Sequence, residues 1–74
     1  MTVKIQFFGF AAYKITTSDG TNVVIDPYLN DNPVSPIKAK DLDKVDLLLL
    51  THNAYDHLGD APEIIRRDKC PVIC

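Results

Sequence analysis

The residues best suited to chemistry lie in one short stretch, THNAYDHLGD, at positions 51–60. His52, Asp56 and His57 fall within six residues of one another, directly after the apolar run 45–50. Imidazole nitrogen and carboxylate oxygen are natural ligands for Zn²⁺ and similar divalent ions. In open α/β sheets, ligands gather at the carboxyl ends of strands, because loops there aim side chains while the sheet stays rigid. The pattern therefore favours a metal site in this loop.

A purely structural role for the same three residues is the alternative. His52 would then cap the strand, Asp56 would cap a turn or helix, and His57 would be a solvated loop histidine. The clustering, the position after a buried strand and the following Gly59 favour metal binding over this alternative.

The elements that position this loop are predicted from periodicity and turn chemistry. Residues 3–7 alternate apolar and polar side chains, which predicts a half-buried first strand. Residues 12–17 and 21–25 predict two further strands around the turn 18–20, whose Asp-Gly pair supplies the positive φ angles of a tight hairpin. Pro27 ends the third strand, because proline has no amide hydrogen for the ladder.

The second half of the chain predicts a strand-helix-strand unit. Residues 28–44 are rich in proline, asparagine and aspartate, which predicts a surface excursion with at most one helical turn. Residues 45–50 form a nearly continuous apolar run, typical of a parallel strand buried on both faces. Residues 61–67 predict a helix with Asp60 at its N-cap, and residues 71–74 predict the start of another buried strand. The predicted fold class is α/β (α+β), with antiparallel hairpins followed by this unit.

Length and composition limit the expected partners and location. The 74 residues are 46% hydrophobic and carry a formal net charge of -2, which fits one domain at most. Because there is no cluster of Lys and Arg, we expect no nucleic-acid partner. The first eight residues lack the long apolar stretch of a signal peptide, and a membrane span takes roughly 20 apolar residues. We therefore expect a cytoplasmic protein that does not interact with membranes.

The chain stops inside an apolar strand, with no turn or polar tail behind it. We expect residues 1–74 to be part of one larger domain, because an unpaired edge at 72–74 and an uncovered face of the strand 45–50 invite aggregation. On its own, such a chain is expected to associate with itself through the exposed sheet. The alternative is a small structural or metal-binding module, complete in itself, that melts cooperatively as a monomer.

The two cysteines, Cys70 and Cys74, match neither a disulfide framework nor a zinc knuckle. We predict that both are buried as small apolar side chains. A thiolate metal site is the alternative, but the sequence offers it no nearby partners.

The apolar run 45–50 leads into Thr-His-x-x-x-Asp-His-x-Gly at positions 51–59. This segment resembles the signature motif of the metallo-β-lactamase superfamily, His-x-His-x-Asp-His. The order of the remaining features is also similar: an opening strand, Gly9 before a second strand, the Asp-Gly hairpin, Ile-Asp-Pro at 25–27 and a proline-rich excursion. Within the superfamily, the chain resembles the small metal-dependent hydrolases related to ascorbate-6-phosphate lactonase. The resemblance covers essentially all 74 residues. It implies an αββα sandwich, of which residues 1–74 would be the N-terminal part of one domain.

The resemblance also implies roles for individual residues. His52 would bind a first metal, and Asp56 and His57 a second, with later residues of the fold completing one or two sites. The metal would be zinc, with manganese or iron as alternatives. A metal-bound hydroxide, oriented by Asp56 as catalytic residue, would attack a small ester, lactone or phosphorylated metabolite. Asp26 is expected either to orient a metal ligand by a hydrogen bond, without touching the metal itself, or simply to begin the turn before Pro27.

Two positions depart from the family pattern. Ala54 stands where the motif has its second histidine, and a methyl group cannot coordinate metal; Asn53 beside it offers only a weak amide oxygen. Phe10 follows Gly9, where relatives of this branch often carry a histidine. Two functional predictions therefore remain: a metal-dependent hydrolase of a small molecule, or a truncated, non-catalytic remnant.

Overall fold

A mixed five-stranded sheet forms the centre of the protein. The computed structural model describes residues 3–52 and 54–73. The strands lie side by side in chain order: β1 Lys4–Gly9, β2 Ala12–Thr16, β3 Asn22–Ile25, β4 Leu47–Leu49 and β5 Val72–Ile73. The helices are α1 Tyr55–Leu58 and α2 Ala61–Asp68, with a 3-10 turn at Ala39–Asp41.

Strand pairing divides the sheet into two halves. β1 pairs with β2, and β2 with β3, in antiparallel register, while β3–β4 and β4–β5 are parallel. The β2–β3 turn contains Gly20 at φ 89°, and its N–H donates to the Thr17 carbonyl at 3.0 Å. Helix α2 connects the parallel strands β4 and β5. The predicted α/β fold, with hairpins followed by a strand-helix-strand unit, is confirmed.

One face of the sheet carries the hydrophobic core. Val24 and Leu48, from β3 and β4, are fully buried together with Ile64 of α2 and with Leu29 of the excursion that follows β3, where Leu42 is also buried. Burial of this kind stabilises by roughly 1.5–3 kcal/mol per large apolar side chain. The α2 helix and the excursion therefore cover the same face of the sheet.

The opposite face is apolar but open. The strand registers align Phe7, Tyr13, Ile25, Leu49 and Ile73 in one row across all five strands. The exposed fraction is 57% for Phe7 and 58% for Ile73. This row, called here the open apolar row, has a surface typical of a sheet that packs against another layer.

The prediction of a half-buried first strand is right for the strand, but the apolar side chains at positions 3, 5 and 7 lie on its exposed face. Val3, Ile5 and Phe7 are 52%, 65% and 57% exposed, whereas Phe8 is buried. Alternating side chains identify a strand but not which face is covered. Because α2 and the excursion lie on the Phe8 side, the alternating residues fall on the open side.

Several smaller expectations have clear outcomes. Cys70 is buried, as predicted, while Cys74 lies outside the described residues. Asp60 occupies the N-cap position of α2, but its carboxylate makes no capping hydrogen bond. Residues 51–60, predicted as loop, include the short helix α1. In the part of the chain that the structure describes, no helix has the length and apolar character needed to cross a membrane.

Candidate metal centre

The motif loop turns back on itself around helix α1. Ala54, at the N-cap, is exposed, and its carbonyl accepts hydrogen bonds from the N–H groups of His57 at 3.0 Å and Leu58 at 2.8 Å. Asp56 and His57 therefore lie on the single turn of this helix. Asn53, which we considered as a weak ligand, lies outside the described residues.

Gly59 ends α1 and brings the chain against the segment after β3. A Cβ atom at Gly59 would lie 2.5 Å from the carbonyl oxygen of Pro27 and 2.6 Å from the Cα of Tyr28. With φ at 47°, the position requires glycine on conformational grounds as well. The backbone of the motif loop at Gly59 therefore lies directly against the backbone of the segment after β3, with no space for a side chain between them.

Asp60 strengthens the same junction. Its N–H donates to the carbonyl of Pro27 at 2.8 Å, and its carboxylate accepts from the N–H groups of Leu29 at 3.0 Å and Asn30 at 2.7 Å. The N-cap residue therefore satisfies backbone donors of the neighbouring loop instead of those of its own helix.

The Asp26 carboxylate reaches into the motif loop. One of its oxygens, Oδ1, accepts from the Thr51 N–H at 2.8 Å. The other, Oδ2, lies 2.8 Å from His57 Nδ1 and accepts the Thr51 hydroxyl at 2.5 Å. The Asp26 side chain is only 1% exposed, whereas that of His57 is 22% exposed. Asp26 also begins a turn, because its carbonyl accepts from the N–H of Tyr28 at 2.7 Å.

The charges of this pair stabilise each other. Burial opposes ionisation of Asp26, but the hydrogen bonds from His57 and Thr51 outweigh it and hold the pKa of the carboxyl below its ordinary value. The hydrogen bond to Asp26 raises the pKa of His57, against a smaller opposing effect of burial. Asp26 is therefore an ionised acceptor at neutral pH.

The donors available to a metal lie on the outer side of this pair. His57 Nε2 is 3.8 Å from Asp56 Oδ1, near the separation of about 3.4 Å expected for two ligands of a tetrahedral ion at about 2.1 Å. The rings of His52 and His57 have centroids 4.6 Å apart. Across residues 3–52 and 54–73, no three His, Cys, Asp or Glu side chains converge as a complete metal site requires. The residues thus fit part of a metal site.

An aromatic group lies beside these donors. Tyr28 is buried, and its ring contacts Phe10 and Tyr55 edge-on, with centroids 5.4 and 5.8 Å away. Tyr28 therefore packs between these rings, and its hydroxyl donates to the carbonyl of Asp31 at 3.0 Å. Phe10 and Tyr55 are 54% and 77% exposed, and both lie next to the junction that Gly59 closes.

Sequence reasoning gave no role to Thr51, although this residue contacts both histidines. Its position between a buried strand and the first histidine was the available signal, since a hydroxyl there faces the end of the neighbouring parallel strand.

Comparison with known proteins places the chain in a family. The family model of the metallo-beta-lactamase superfamily matches residues 11–74. A protein named UPF0173 metal-dependent hydrolase from Koribacter versatilis is 40% identical over 97% of this chain, which covers 31% of that protein. One of the same name from Archaeoglobus fulgidus is 44% identical over 97% of the chain and 30% of its own length.

A solved structure shows the same local fold. Igni18, described as a novel metallo hydrolase from the hyperthermophilic archaeon Ignicoccus hospitalis, matches with a TM-score of 0.86 at 39% identity. The match covers 97% of this chain and 31% of Igni18. The chain thus spans about a third of the length of the relatives it matches, and by sequence and fold it belongs to the metallo-β-lactamase superfamily.

Proposed function

We propose that this chain provides the first metal ligands of a metal-dependent hydrolase acting on a small ester, lactone or phosphorylated metabolite. The observation that carries this proposal is the Asp26–His57 pair. A buried carboxylate on the Nδ1 side of a histidine fixes the ring and leaves Nε2 as a lone-pair donor, an arrangement common among metal-binding histidines. The relatives named as metal-dependent hydrolases support the same class of activity.

Each residue has a defined task in this proposal. Asp56 and His57 bind one ion, and His52 contributes to a neighbouring one. Asp26 holds the His57 ring, and its negative charge makes the imidazole a stronger ligand. A bound ion would polarise the bond to be cleaved and lower the pKa of a water molecule toward about 7. Later residues of a longer protein would complete the ligand set.

Zinc is the metal that best suits this donor set. Two imidazoles and one carboxylate match the usual ligands of Zn²⁺, and manganese or iron would be accepted by the same atoms. The site takes one or two ions, depending on the ligands added to it. A cytoplasmic location and the absence of nucleic-acid and membrane partners stay predictions.

A non-catalytic descendant is the second candidate, and Ala54 is the observation that favours it. The exposed methyl group at the start of α1 stands at the position of the second motif histidine, so one ligand of the first ion is missing. Under this candidate, the chain keeps the fold of the motif but binds metal too weakly to act.

Metal titration of the purified chain tests the proposal. Zinc should bind to the wild type, and His57→Ala should reduce the affinity by about 10-fold or more, since it removes the nitrogen that Asp26 would orient toward the ion. Ala54→His should raise the affinity and the metal-to-protein ratio, because the exposed site has room for a ring. Asp31→Asn, on the surface, is the matched control. Equal zinc content in all four proteins would contradict the proposal.

We also propose that the chain on its own pairs with a second copy through the open apolar row. The row runs across all five strands and includes the Phe7–Tyr13 contact, with ring centroids 4.9 Å apart. Removing it from water would stabilise association by about 25 cal/mol per Å² of apolar area. Light scattering should show a concentration-dependent dimer that Phe7→Lys converts to monomer, while Lys4→Glu on the same strand leaves it unchanged. A monomer at every concentration would contradict this proposal.

A further inference from the structure

Thr51 lies at the meeting point of the candidate metal centre. Its hydroxyl oxygen is 2.5 Å from Asp26 Oδ2, 3.0 Å from His52 Nδ1 and 3.3 Å from His57 Nδ1. Its N–H is bound separately, to Asp26 Oδ1 at 2.8 Å. One hydroxyl group, with a single hydrogen to donate, therefore faces a carboxylate and two imidazoles.

The position of that hydrogen follows from the partners. The Thr51 hydroxyl donates its single hydrogen to Asp26 Oδ2 at 2.5 Å. The hydroxyl oxygen then offers only lone pairs to His52. His52 Nδ1 must supply the hydrogen of that contact, which leaves Nε2 without one.

Both histidines carry their hydrogen on Nδ1, but the hydrogen-bond partner of Nδ1 differs between them. His57 Nδ1 faces the carboxylate directly at 2.8 Å, so it too carries the hydrogen. His52, however, is exposed, and its ring has the Thr51 oxygen as its Nδ1 contact. A neutral imidazole free in water favours the opposite form, with the hydrogen on Nε2, and that form cannot bind a metal through Nε2.

We propose that Thr51 is a positioning residue. Its hydroxyl forms a hydrogen-bond relay from Asp26 to His52, and this relay holds His52 in the tautomer whose Nε2 is free to bind a metal ion. The inference rests on the proposed function and adds to it. One buried carboxylate prepares both histidines, His57 by direct contact and His52 through a hydroxyl. The first histidine of the motif then keeps the ligand form even though Ala54 provides no neighbouring imidazole.

Nitrogen NMR of the metal-free chain tests the relay without any activity measurement. The chain has only two histidines, so His52→Gln and His57→Gln assign their signals. At about pH 9, well above the ordinary imidazole pKa of about 6.5, the wild type should show a protonated Nδ1 and a bare Nε2 in both rings.

Two substitutions at Thr51 separate positioning from a structural role. Thr51→Val keeps the shape and the backbone N–H but removes the hydroxyl, so the His52 signal should move toward the Nε2–H form while that of His57 stays unchanged. Thr51→Ser should restore the wild-type pattern. A loss of structure would instead move both rings and the backbone amide signals together. If Thr51→Val leaves the His52 tautomer unchanged, the inference is wrong.

Zinc titration of the same variants distinguishes this inference from the proposed function. With both correct, Thr51→Val should weaken zinc binding by about 10-fold, and Thr51→Ser should recover most of it. A tautomer that shifts in a chain unable to bind zinc would support the relay and contradict the metal site. Zinc binding that is identical in all three proteins, with an unshifted tautomer, would support the site and overturn the relay.

Discussion

An aspartate from another element lies next to each end of strand β4: Asp26, which follows β3, and Asp68, the last residue of α2. Beyond the carboxyl end of β4, Asp26 accepts the N–H of Thr51 and pairs with His57 at 2.8 Å. Before the amino end of β4, Asp68 accepts the N–H of Val45 at 2.8 Å and pairs with Arg67 at 2.5 Å. Each aspartate is well buried and fixes the backbone next to the strand.

The cations differ in what they leave free. Arg67 donates Nε and one terminal nitrogen to Asp68, and its terminal nitrogens also reach the carbonyls of Ala39 at 3.0 Å and Asp43 at 3.1 Å. His57 uses Nδ1 for Asp26 and directs Nε2 toward Asp56 at 3.8 Å. At the arginine end, all three guanidinium nitrogens of Arg67 are used in hydrogen bonds. At the histidine end, Nε2 of His57 stays available for chemistry. The same local arrangement thus uses all of its nitrogens for structure at one end and leaves a nitrogen free at the other, where the proposed metal site lies.

The largest effect should come from the junction that holds the histidine end in place. Gly59→Ala puts a methyl group within 2.6 Å of backbone atoms of Pro27 and Tyr28 and forces alanine to φ 47°. Steric overlap and backbone strain together should cost about 2–5 kcal/mol in the free energy of unfolding, measured with urea. Gly20→Ala is the control: it has φ 89° but open space around the added atom, so only about 1–2 kcal/mol should be lost. Equal losses would show that the junction is not tightly packed.

Replacing each aspartate by asparagine tests the division of roles directly. Both Asp26→Asn and Asp68→Asn should lower the free energy of unfolding by about 1–3 kcal/mol, because a charged acceptor is lost from a buried hydrogen-bond group. Only Asp26→Asn should also weaken zinc binding, since Asp68 lies at the other end of β4. Urea unfolding and zinc titration of the two variants, side by side, give the comparison. If Asp68→Asn weakens zinc binding as much as Asp26→Asn does, the two ends are not functionally distinct.

The sequence predicts the elements of this fold better than their surroundings. The Asp-Gly turn, the apolar run 45–50 and the α2 helix depend on local chemistry, and all three are found where expected. The burial of β1 was predicted wrongly because the α2 helix and the excursion, which lie far along the chain, cover the face opposite to Val3, Ile5 and Phe7. Local pattern cannot tell which side of a strand will be covered.

The candidate site shows the same limit. The sequence singles out His52, Asp56 and His57 because their types and spacing suit a metal. It left two roles open for Asp26, and the structure shows contacts of both kinds, a turn to Tyr28 and a hydrogen bond to His57. The contribution of Thr51 depends on the parallel register of β3 and β4, which brings residues 25 positions apart into contact. Pairing of this kind is not contained in a local motif.

The smallest expected effect is a difference in pH dependence between the two ends. The pKa of Asp68 is lowered, chiefly by its hydrogen bond to Arg67, so the stability that Asp68 contributes is present above its ordinary value of 3.8 and is lost as the pH falls through the folded pKa. The pKa of His57 is raised, chiefly by its hydrogen bond to Asp26. Its contribution is therefore complete below the ordinary value of 6.5 and is lost as the pH rises through the folded pKa.

Urea unfolding from about pH 3 to pH 9, in the presence of a chelator, measures both effects. The stability difference between wild type and His57→Gln should shrink on the alkaline side, whereas the difference for Asp68→Asn should shrink only on the acid side. Arg67 stays charged throughout this range, so the arginine end has no alkaline transition. An alkaline loss that is equal in both variants would mean that His57 does not gain its proton affinity from Asp26. The histidine end of β4 would then differ from the arginine end in geometry but not in pH dependence.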